Sequence, residues 1–375
     1  MKIVQLCPYA MDRPGGVQRH VRDLTAWLSA HGHETMIIAP PTPGQAPRRE
    51  GALIELGRSR AFGSHGTGFE LSFARTAHVR ALARDLKDWG ADLVHMHTPW
   101  TPRLVHQMWR ALDLPTVTTL HATLPDPLPG QQGASLIDRY IRRAAKSYIQ
   151  HSAAVILPSR APLDMLSRLV PRFAPEILPP AVDLSPWRQA GTQRRRRPGL
   201  HLLFLGRLEA RKGVDILLAA WPRIVQALPQ ARLTIAGDGA MRAQVEAAQS
   251  PRLTYVGRPD DATARALMAK SDLFIAPAPY GESYGIVLAE AMAAGALPIA
   301  AANAGYASVL TGPGKQLLVP PGNAELLADR IIALSDDQNA ISDLRNWAKI
   351  KARQSDIATL GPDYLALYHA VLNKK

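Results

Sequence analysis

Residues 1–40 read MKIVQLCPYAMDRPGGVQRHVRDLTAWLSAHGHETMIIAP, and this stretch predicts the fold class. The run 3–6 is mostly apolar and has the length of a strand, and a loop rich in proline and glycine follows it. Apolar residues then recur at the spacing of one helix face: Val17, Val21, Leu24 and Leu28. Gly32 ends the helical pattern, and a second apolar run at 35–39 completes a strand–helix–strand unit with parallel strands.

The same alternation continues along the chain and restarts after a change in composition. Further strand-like runs lie at 93–96, 116–119, 154–157, 202–205, 233–236, 253–256, 273–276 and 297–300. Prolines and an arginine run concentrate between 171 and 199, which is typical of an interdomain connection. We predict an α/β protein with two Rossmann-like, doubly wound parallel-sheet domains and a deep cleft between them that binds the ligand. The predicted bounds are a first domain at 1–185, a linker at 186–199, a second domain at 200–355, and a C-terminal helix at 356–375 that packs back on the first domain.

The charge is concentrated in the first half of the chain. The net charge is +13, yet residues 1–200 hold 26 Lys or Arg against 15 Asp or Glu, whereas residues 201–375 hold 18 against 16. A basic half favours a polyanion or an anionic surface as partner, so a nucleic-acid-binding protein is one alternative. The single cysteine, Cys7, excludes an internal disulfide and fits a reducing compartment. The window 286–305 is interrupted by Glu290 and Pro298, so we expect a cytoplasmic protein without a spanning helix.

Two loops that follow predicted strands have the composition of phosphate sites. The loop 14–17, Pro-Gly-Gly-Val, opens the first helix, whose free N–H groups attract phosphate, although a simple turn explains the motif equally well. In the run 206–213, Gly-Arg-Leu-Glu-Ala-Arg-Lys-Gly, the cations Arg207 and Lys212 are suited to a diphosphate.

The run 281–290 carries two carboxylates, Glu282 and Glu290, which are eight residues apart. Eight residues span slightly over two helical turns, so both side chains could point to one side. Glu290 interrupts an apolar helix pattern, and a buried carboxylate needs a partner. A ribose diol is one candidate partner and the cap of a neighbouring element is another. Main-chain N–H groups at the predicted helix start could bind phosphate: Ser283, Tyr284, Gly285 and Ile286.

Three histidines also lie on or after strands of the first domain. His121 follows a strand, so it is either a contact to the reacting substrate or a buried structural histidine. His95 and His97 project from one face of a strand, but the sequence shows no cluster that completes a metal site, and we predict none.

These motifs resemble the family 4 retaining glycosyltransferases with the GT-B fold, and most of all the phosphatidyl-myo-inositol mannosyltransferases. The resemblance covers nearly the whole chain and is densest at 7–9 with 14–18, at 203–213 and at 281–295. It implies transfer of a hexose, mannose or glucose in type, from a GDP- or UDP-linked sugar with retention of configuration. It implies no bound metal and no cofactor other than this co-substrate.

The resemblance also implies a role for each motif. Gly16, Arg207 and Lys212 match residues around the donor diphosphate, and Glu282 matches the acidic residue near the transferred sugar. Glu290 matches the residue that bonds the ribose, and the loop after Val256 is similar to the one that meets the base. His121 matches a catalytic-site histidine. The residues that match acceptor contacts are Tyr9 and Gln18.

The acceptor is less well defined than the donor. The family members that bind phosphatidylinositol carry arginines where this chain reads Phe-Glu-Leu-Ser-Phe at 69–73. The basic helix patterns at 73–89 and 136–150, with Leu82, Leu86 and Trp89 for an apolar side, fit either an anionic membrane surface or ordinary solvated helix faces, and the family resemblance favours the membrane. We therefore expect a peripheral enzyme at the inner face of the cell membrane with a lipid or lipid-linked acceptor. The alternatives are an enzyme with a non-lipid acceptor, an epimerase or glucan synthase on the same fold, and a catalytically inactive sugar-binding protein.

Overall fold

A computed structural model describes residues 1–13, 15–64, 67–97, 103–121, 136–170, 174–192 and 198–374. The chain forms two compact units, the first comprising Met1–Val182 with Ile357–Lys375, and the second Asp183–Asp356. The described strands are β1 (Lys2–Leu6), β2 (Glu34–Ala39), β3 (Arg49–Glu50), β4 (Leu53–Glu55), β5 (Arg58–Ser64), β6 (Thr67–Phe73), β7 (Leu93–His97), β8 (Thr116–Thr119), β9 (Ala154–Leu157), β10 (Glu176–Ile177), β11 (His201–Leu205), β12 (Arg232–Ala236), β13 (Leu253–Tyr255), β14 (Leu273–Ala276), β15 (Leu297–Ala301) and β16 (Leu318–Val319). The described α-helices are α1 (Gly16–Ala30), α2 (Thr76–Asp88), α3 (Arg103–Leu112), α4 (Leu136–His151), α5 (Leu163–Leu169), α6 (Ser185–Thr192), α7 (Val214–Ala227), α8 (Arg242–Ala247), α9 (Asp261–Lys270), α10 (Ile286–Ala294), α11 (Ala304–Val309), α12 (Ala324–Asp336), α13 (Gln338–Gln354) and α14 (Ile357–Leu372).

Each unit is built on one parallel sheet. The first has the strand order β10-β9-β8-β7-β1-β2-β4-β3, in which only the pairing of β3 with β4 is antiparallel. The second has the order β13-β12-β11-β14-β15-β16, and all its pairings are parallel. In both, the order runs outward from a central strand, as the predicted doubly wound topology requires. A separate antiparallel hairpin, β5 with β6, was not predicted from the sequence.

The alternation of side chains along β1 divides the core of the first unit between two faces. Ile3 packs with α1 and α14 on one face, while Val4 and Leu6 pack with α2 and α3 on the other. All three side chains are at most 1% exposed, because helices cover both faces of the sheet.

The C-terminal part of the described chain forms two consecutive helices. α13 ends at Gln354 and α14 begins at Ile357, and the division between the units falls between them. Asp356 at the break accepts hydrogen bonds from the Leu184 main chain and the Arg188 guanidinium, which holds it in a conformation that a continuous helix would not provide.

Part of the predicted linker at 186–199 is helical. Residues 185–192 form α6, and its Trp187 is 2% exposed. The arginines at 194–197 lie outside the described residues.

The apolar side expected for the basic helix α2 is not exposed. Leu82 and Leu86 are 8% and 2% exposed and belong to the core of the first unit, and Trp89 packs against that core. The prediction of a free apolar face was wrong because those side chains cover the sheet. Within the described part of the chain, no helix combines the length and the apolar character that crossing a bilayer requires.

Candidate active site

The loops at the carboxyl edge of the second sheet are packed tightly on one another. Gly213, after the loop of the central strand β11, has φ +73°, and a Cβ atom there would lie 2.2 Å from the Pro277 carbonyl oxygen beyond β14. On the other side, Leu208 donates its N–H to the Asp238 carbonyl beyond β12 at 3.0 Å. A Cβ atom on Gly237 would collide with the Gly206 carbonyl oxygen. Only glycine at these points lets the three loops meet.

This packing brings Lys212 and Glu282 together across 70 residues of sequence. The Lys212 Nζ donates to the Glu282 Oε1 at 2.5 Å. Arg211 adds a second cation, with its Nη1 3.9 Å from the same oxygen and 3.2 Å from the Gly281 carbonyl oxygen. All three side chains are less than a quarter exposed, so solvent screens their charges only in part. Two cations and one carboxylate thus form a preorganised charged site.

Arg211 and Tyr306 belong to this site but were not predicted. Tyr306 is 2% exposed in α11, and burial, with a smaller contribution from the Glu282 charge, holds its pKa well above the usual value. Asn303 caps α11 through the Tyr306 N–H at 2.9 Å and donates to the Ala278 carbonyl at 2.8 Å. The only sequence signals were the Arg-Lys pair at 211–212 and an asparagine before a short helix.

The helix α10 begins after Gly285, which has φ +111° and provides no side-chain cap. The Leu288 N–H of the first turn donates to the Gly285 carbonyl oxygen at 3.0 Å, whereas helix geometry gives the N–H groups of Ile286 and Val287 no acceptor within the helix. The side chain of Tyr284 is buried, and its hydroxyl lies 3.3 Å from the Ser355 Oγ. At this position, the predicted contact with the nucleotide-sugar donor could therefore involve only the main chain.

Helical spacing does not relate Glu282 to Glu290, contrary to expectation. Glu282 lies four residues before the first residue of α10, and its side chain is held instead by Lys212. Glu290 lies in the second turn of the helix and is 8% exposed. The two carboxylates are therefore positioned independently.

Arg207 and Val256 are both exposed residues of the second unit. The Arg207 Nη1 is 3.1 Å from the Glu209 Oε1, and its side chain is 48% exposed. Val256 follows β13 and is 42% exposed, so its side chain is accessible at the sheet edge. Both remain candidates for donor contacts.

The candidate residues near the start of the first unit lie around the loop after β1. Gly16 is the exposed first residue of α1, and Pro14 before it lies outside the described residues. Gln18 is 7% exposed, with its Nε2 3.4 Å from the Ala10 carbonyl oxygen, so this amide supports the loop. Tyr9 is half-buried in the same loop.

The structure gathers four buried histidines where the sequence showed no cluster. His95, His97 and His121 come from β7 and from the end of β8, and α1 brings His20 against them, with ring centroids 5.2 Å apart for His20 and His121. One ring nitrogen from each of His20, His97 and His121 lies within 4.8 Å of the others, a spacing that could hold a metal ion. The absence of a cluster was a wrong prediction, because His20 is 75 residues from the nearest of the others.

The local contacts make these histidines neutral. Burial lowers the pKa of His20 to about 4, and the pKa values of His95, His97 and His121 lie well below the ordinary 6.5, chiefly through burial. His20 donates its Nδ1–H to the Ala181 carbonyl at 2.8 Å. The His97 Nδ1 lies 2.9 Å from the His121 Nε2, so a proton already joins two of the possible ligand nitrogens. This arrangement suits His121 to positioning and hydrogen bonding rather than to carrying charge.

Comparison with known proteins identifies the family. Residues 14–186 match the family model described as Glycosyltransferase Family 4, and residues 199–337 match the model described as Glycosyl transferases group 1. A phosphatidyl-myo-inositol mannosyltransferase of Mycolicibacterium smegmatis is 31% identical over 379 positions, which cover 99% of this chain and 94% of that protein.

Solved structures share the fold across the whole chain. Sucrose-phosphate synthase from Thermosynechococcus elongatus is 20% identical, with a TM-score of 0.76 and complete coverage of both chains. HepE from Anabaena, solved with UDP and glucose, is 19% identical, with a TM-score of 0.74 and coverage of 99% of this chain and 100% of that one. The predicted fold class is confirmed. A match at 31% identity that runs through both parallel-sheet units makes this chain a family 4 glycosyltransferase with the GT-B fold.

Proposed function

We propose that the protein transfers a hexose from a nucleoside-diphosphate sugar to a lipid or lipid-linked acceptor, with retention of configuration, at the inner face of the cell membrane. The observation that carries this proposal is the Lys212–Glu282 pair with Arg211 beside it, at the sheet edge where parallel α/β domains bind ligands. The mannosyltransferase relative supports the hexose and the lipid acceptor.

The donor contacts follow from the charges of the second unit. A diphosphate carries negative charge that grows as the sugar leaves, and Lys212 and Arg207 are the cations assigned to offset it. The first turn of α10 offers main-chain N–H groups to a phosphate oxygen. Glu290 accepts from the ribose hydroxyls, and the segment after Val256 meets the base. In the first unit, we assign Gly16 to the diphosphate and His121 to the donor sugar.

The chemical step requires little from the protein beyond position and charge. The bond between the anomeric carbon and the diphosphate oxygen breaks, and a bond to the acceptor oxygen forms on the same face of the sugar. The acceptor hydroxyl gives its proton to the leaving diphosphate oxygen. Lys212 stabilises that oxygen, and Glu282 holds the lysine and lies near the transferred sugar. Tyr9 and Gln18 are assigned to the acceptor.

A basic groove in the first unit supports an anionic surface as the site of action. The groove, of about 690 Å³, lies between α2 and α3, and all of its charged lining residues are basic: Arg80, Arg84, Lys87 and Arg110. Gln107 fixes its walls, because its side chain accepts from the Ala74 N–H at 3.1 Å and donates to the Ala74 carbonyl at 2.9 Å. Since Leu82 and Leu86 are buried, the attraction we propose is electrostatic and needs no inserted apolar face.

Thermal shift with free nucleotides tests the donor assignment. We expect either GDP or UDP at 100 times its Kd to stabilise the protein by about 2.7 kcal/mol, which is roughly 5–11 °C in Tm for a domain of this size. The preferred nucleotide identifies the base. Glu290→Ala should reduce the shift, whereas Arg223→Ala, in an exposed ion pair with Asp329 of the same unit, should keep it. The absence of a shift with both nucleotides would contradict a nucleoside-diphosphate donor.

We also propose that transfer requires no metal ion. The reason is that protein cations are assigned to the diphosphate, and the His97–His121 hydrogen bond already occupies two nitrogens of the histidine cluster. EDTA should leave the transfer rate unchanged within about twofold, a change too small to reflect loss of a catalytic metal. The contrary result would be that EDTA abolishes transfer in the wild type, with activity restored by Zn²⁺ or Mn²⁺, and causes no further loss of activity in His20→Asn. That result would assign a metal to His20, His97 and His121.

A further inference from the structure

A chain of buried polar side chains runs from the C-terminal helix α14 to His121. The His121 Nε2 is 2.9 Å from the His97 Nδ1, and the His97 Nε2 is 2.7 Å from the Gln5 Oε1. The Gln5 side chain is in turn hydrogen-bonded to the Tyr368 hydroxyl. Gln5, His97 and Tyr368 are completely buried, and His121 is 8% exposed. Gln5 lies in β1, His97 in β7 and Tyr368 in α14, and His121 follows β8.

The donor and acceptor roles of Gln5, His97 and His121 follow from their functional groups. The Gln5 Oε1 can only accept, so the His97 Nε2 carries a proton and the His97 Nδ1 carries a lone pair. The His97 Nδ1 must then accept from the His121 Nε2–H. The hydrogen bond to His97 therefore places a ring proton of His121 on Nε2.

At the Tyr368 end of this series of hydrogen bonds, His95 provides further contacts. The His95 Nδ1 lies 2.6 Å from the Tyr368 oxygen, and the His95 Nε2 lies 2.7 Å from the Thr119 Oγ1. Tyr368 is completely buried, and burial is the main reason that the pKa of its hydroxyl is raised, so the hydroxyl stays protonated. Thr119 is the last residue of β8, so its contact with His95 connects the network to the strand that precedes His121.

We propose that Tyr368, Gln5 and His97 are positioning residues that fix the ring orientation and tautomer of His121. This inference rests on the proposed function, which assigns His121 to the donor sugar. The Nε2–H of His121 is committed to His97, so this N–H is not the group that contacts the sugar. The C-terminal helix thus contributes to the active site through hydrogen bonds and not by touching substrate.

Two variants of His97 separate positioning from packing. His97→Leu removes the acceptor for His121, and we expect kcat to fall about 10- to 100-fold while the KM for the donor changes less than about threefold. His97→Asn can place its Oδ1 near the position of the lost Nδ1, and should recover kcat to within about threefold of wild type. Equal losses in both variants would indicate a purely structural role and would overturn the proposal.

Nitrogen-15 NMR of the histidines tests the tautomer without any substrate. The wild-type protein should show His121 protonated on Nε2, and His97→Leu should alter that signal. Tyr368→Phe should shift it in the same direction by less, whereas Tyr364→Phe should leave it unchanged, because the Tyr364 hydroxyl donates to the Pro179 carbonyl at 3.1 Å. A wild-type His121 protonated on Nδ1 would overturn the proposal even if every variant failed to fold.

The two measurements also distinguish the proposal from the function on which it rests. If His97→Leu changes the His121 tautomer but not kcat, the positioning chain exists and the assignment of His121 to the sugar fails. If the tautomer does not change, the positioning proposal fails whatever the activity of His121→Ala.

Discussion

Lys212→Ala is expected to lower the rate of hexose transfer by about a hundred- to a thousandfold, with the protein still folded. The lysine supplies positive charge where the leaving diphosphate becomes more negative, and losing one such preorganised group has effects of this size. Glu282→Ala should cause a comparable loss, because it frees the Lys212 side chain that it holds at 2.5 Å. The measurement is the initial rate of transfer at saturating donor, with a thermal melt to confirm folding.

The double variant and a matched control make this prediction specific. Lys212 and Glu282 act as a unit, so the double variant should be about as inactive as either single variant, and not the product of the two losses. Arg223→Ala breaks another Lys/Arg–carboxylate contact in the second unit, at 2.6 Å, and should retain full activity. Wild-type rates in either single variant would refute the assigned site.

Charge reversal in the groove between α2 and α3 is expected to weaken binding to anionic vesicles by about three orders of magnitude. Each lysine or arginine near an anionic membrane contributes about 1 kcal/mol, and four of them line the groove. The variant changes Arg80, Arg84, Lys87 and Arg110 to Glu. Sedimentation with vesicles containing about one-third phosphatidylserine, at low salt, measures the effect; added salt should weaken wild-type binding.

A control with the same change in net charge tests whether the groove itself matters. Four exposed cations of the second unit provide it when changed to Glu: Arg252, Lys270, Arg330 and Lys349. This variant should retain most of the vesicle binding, because these cations do not line the groove. Equal losses in the two variants would attribute the binding to net charge alone, and no binding by the wild type at any salt would refute the membrane proposal.

The sequence predicted the frame of the candidate site well and its contacts poorly. Glu282 and Lys212 were identified because glycine-rich loops after parallel strands meet at one sheet edge. Their direct contact was not predicted, since it depends on the close approach of the Gly213 and Pro277 main chains. Tyr306 and Arg211 were missed because their local signals, an asparagine before a short helix and an Arg-Lys pair, do not indicate that they lie near Glu282.

The basic helix α2 shows where periodicity is ambiguous. Its pattern of charges and apolar residues fits an amphipathic helix at a membrane as well as one against a sheet. The structure places Leu82 and Leu86 in the core of the first unit, so only the charged face remains for a partner. The periodicity of a helix shows which of its faces is apolar, but it does not show whether that face packs against a sheet or a membrane.

The amino-acid sequence by itself determined the two parallel-sheet units, the phosphate-type loops and the family, because these depend on local periodicity and on motifs of short span. The tertiary structure alone decided the contacts that join distant residues. It gathered His20 with His97 and His121, and it brought the Tyr368 side chain of α14 to Gln5 of β1. Such contacts arise from the packing of whole elements, which no window of sequence contains.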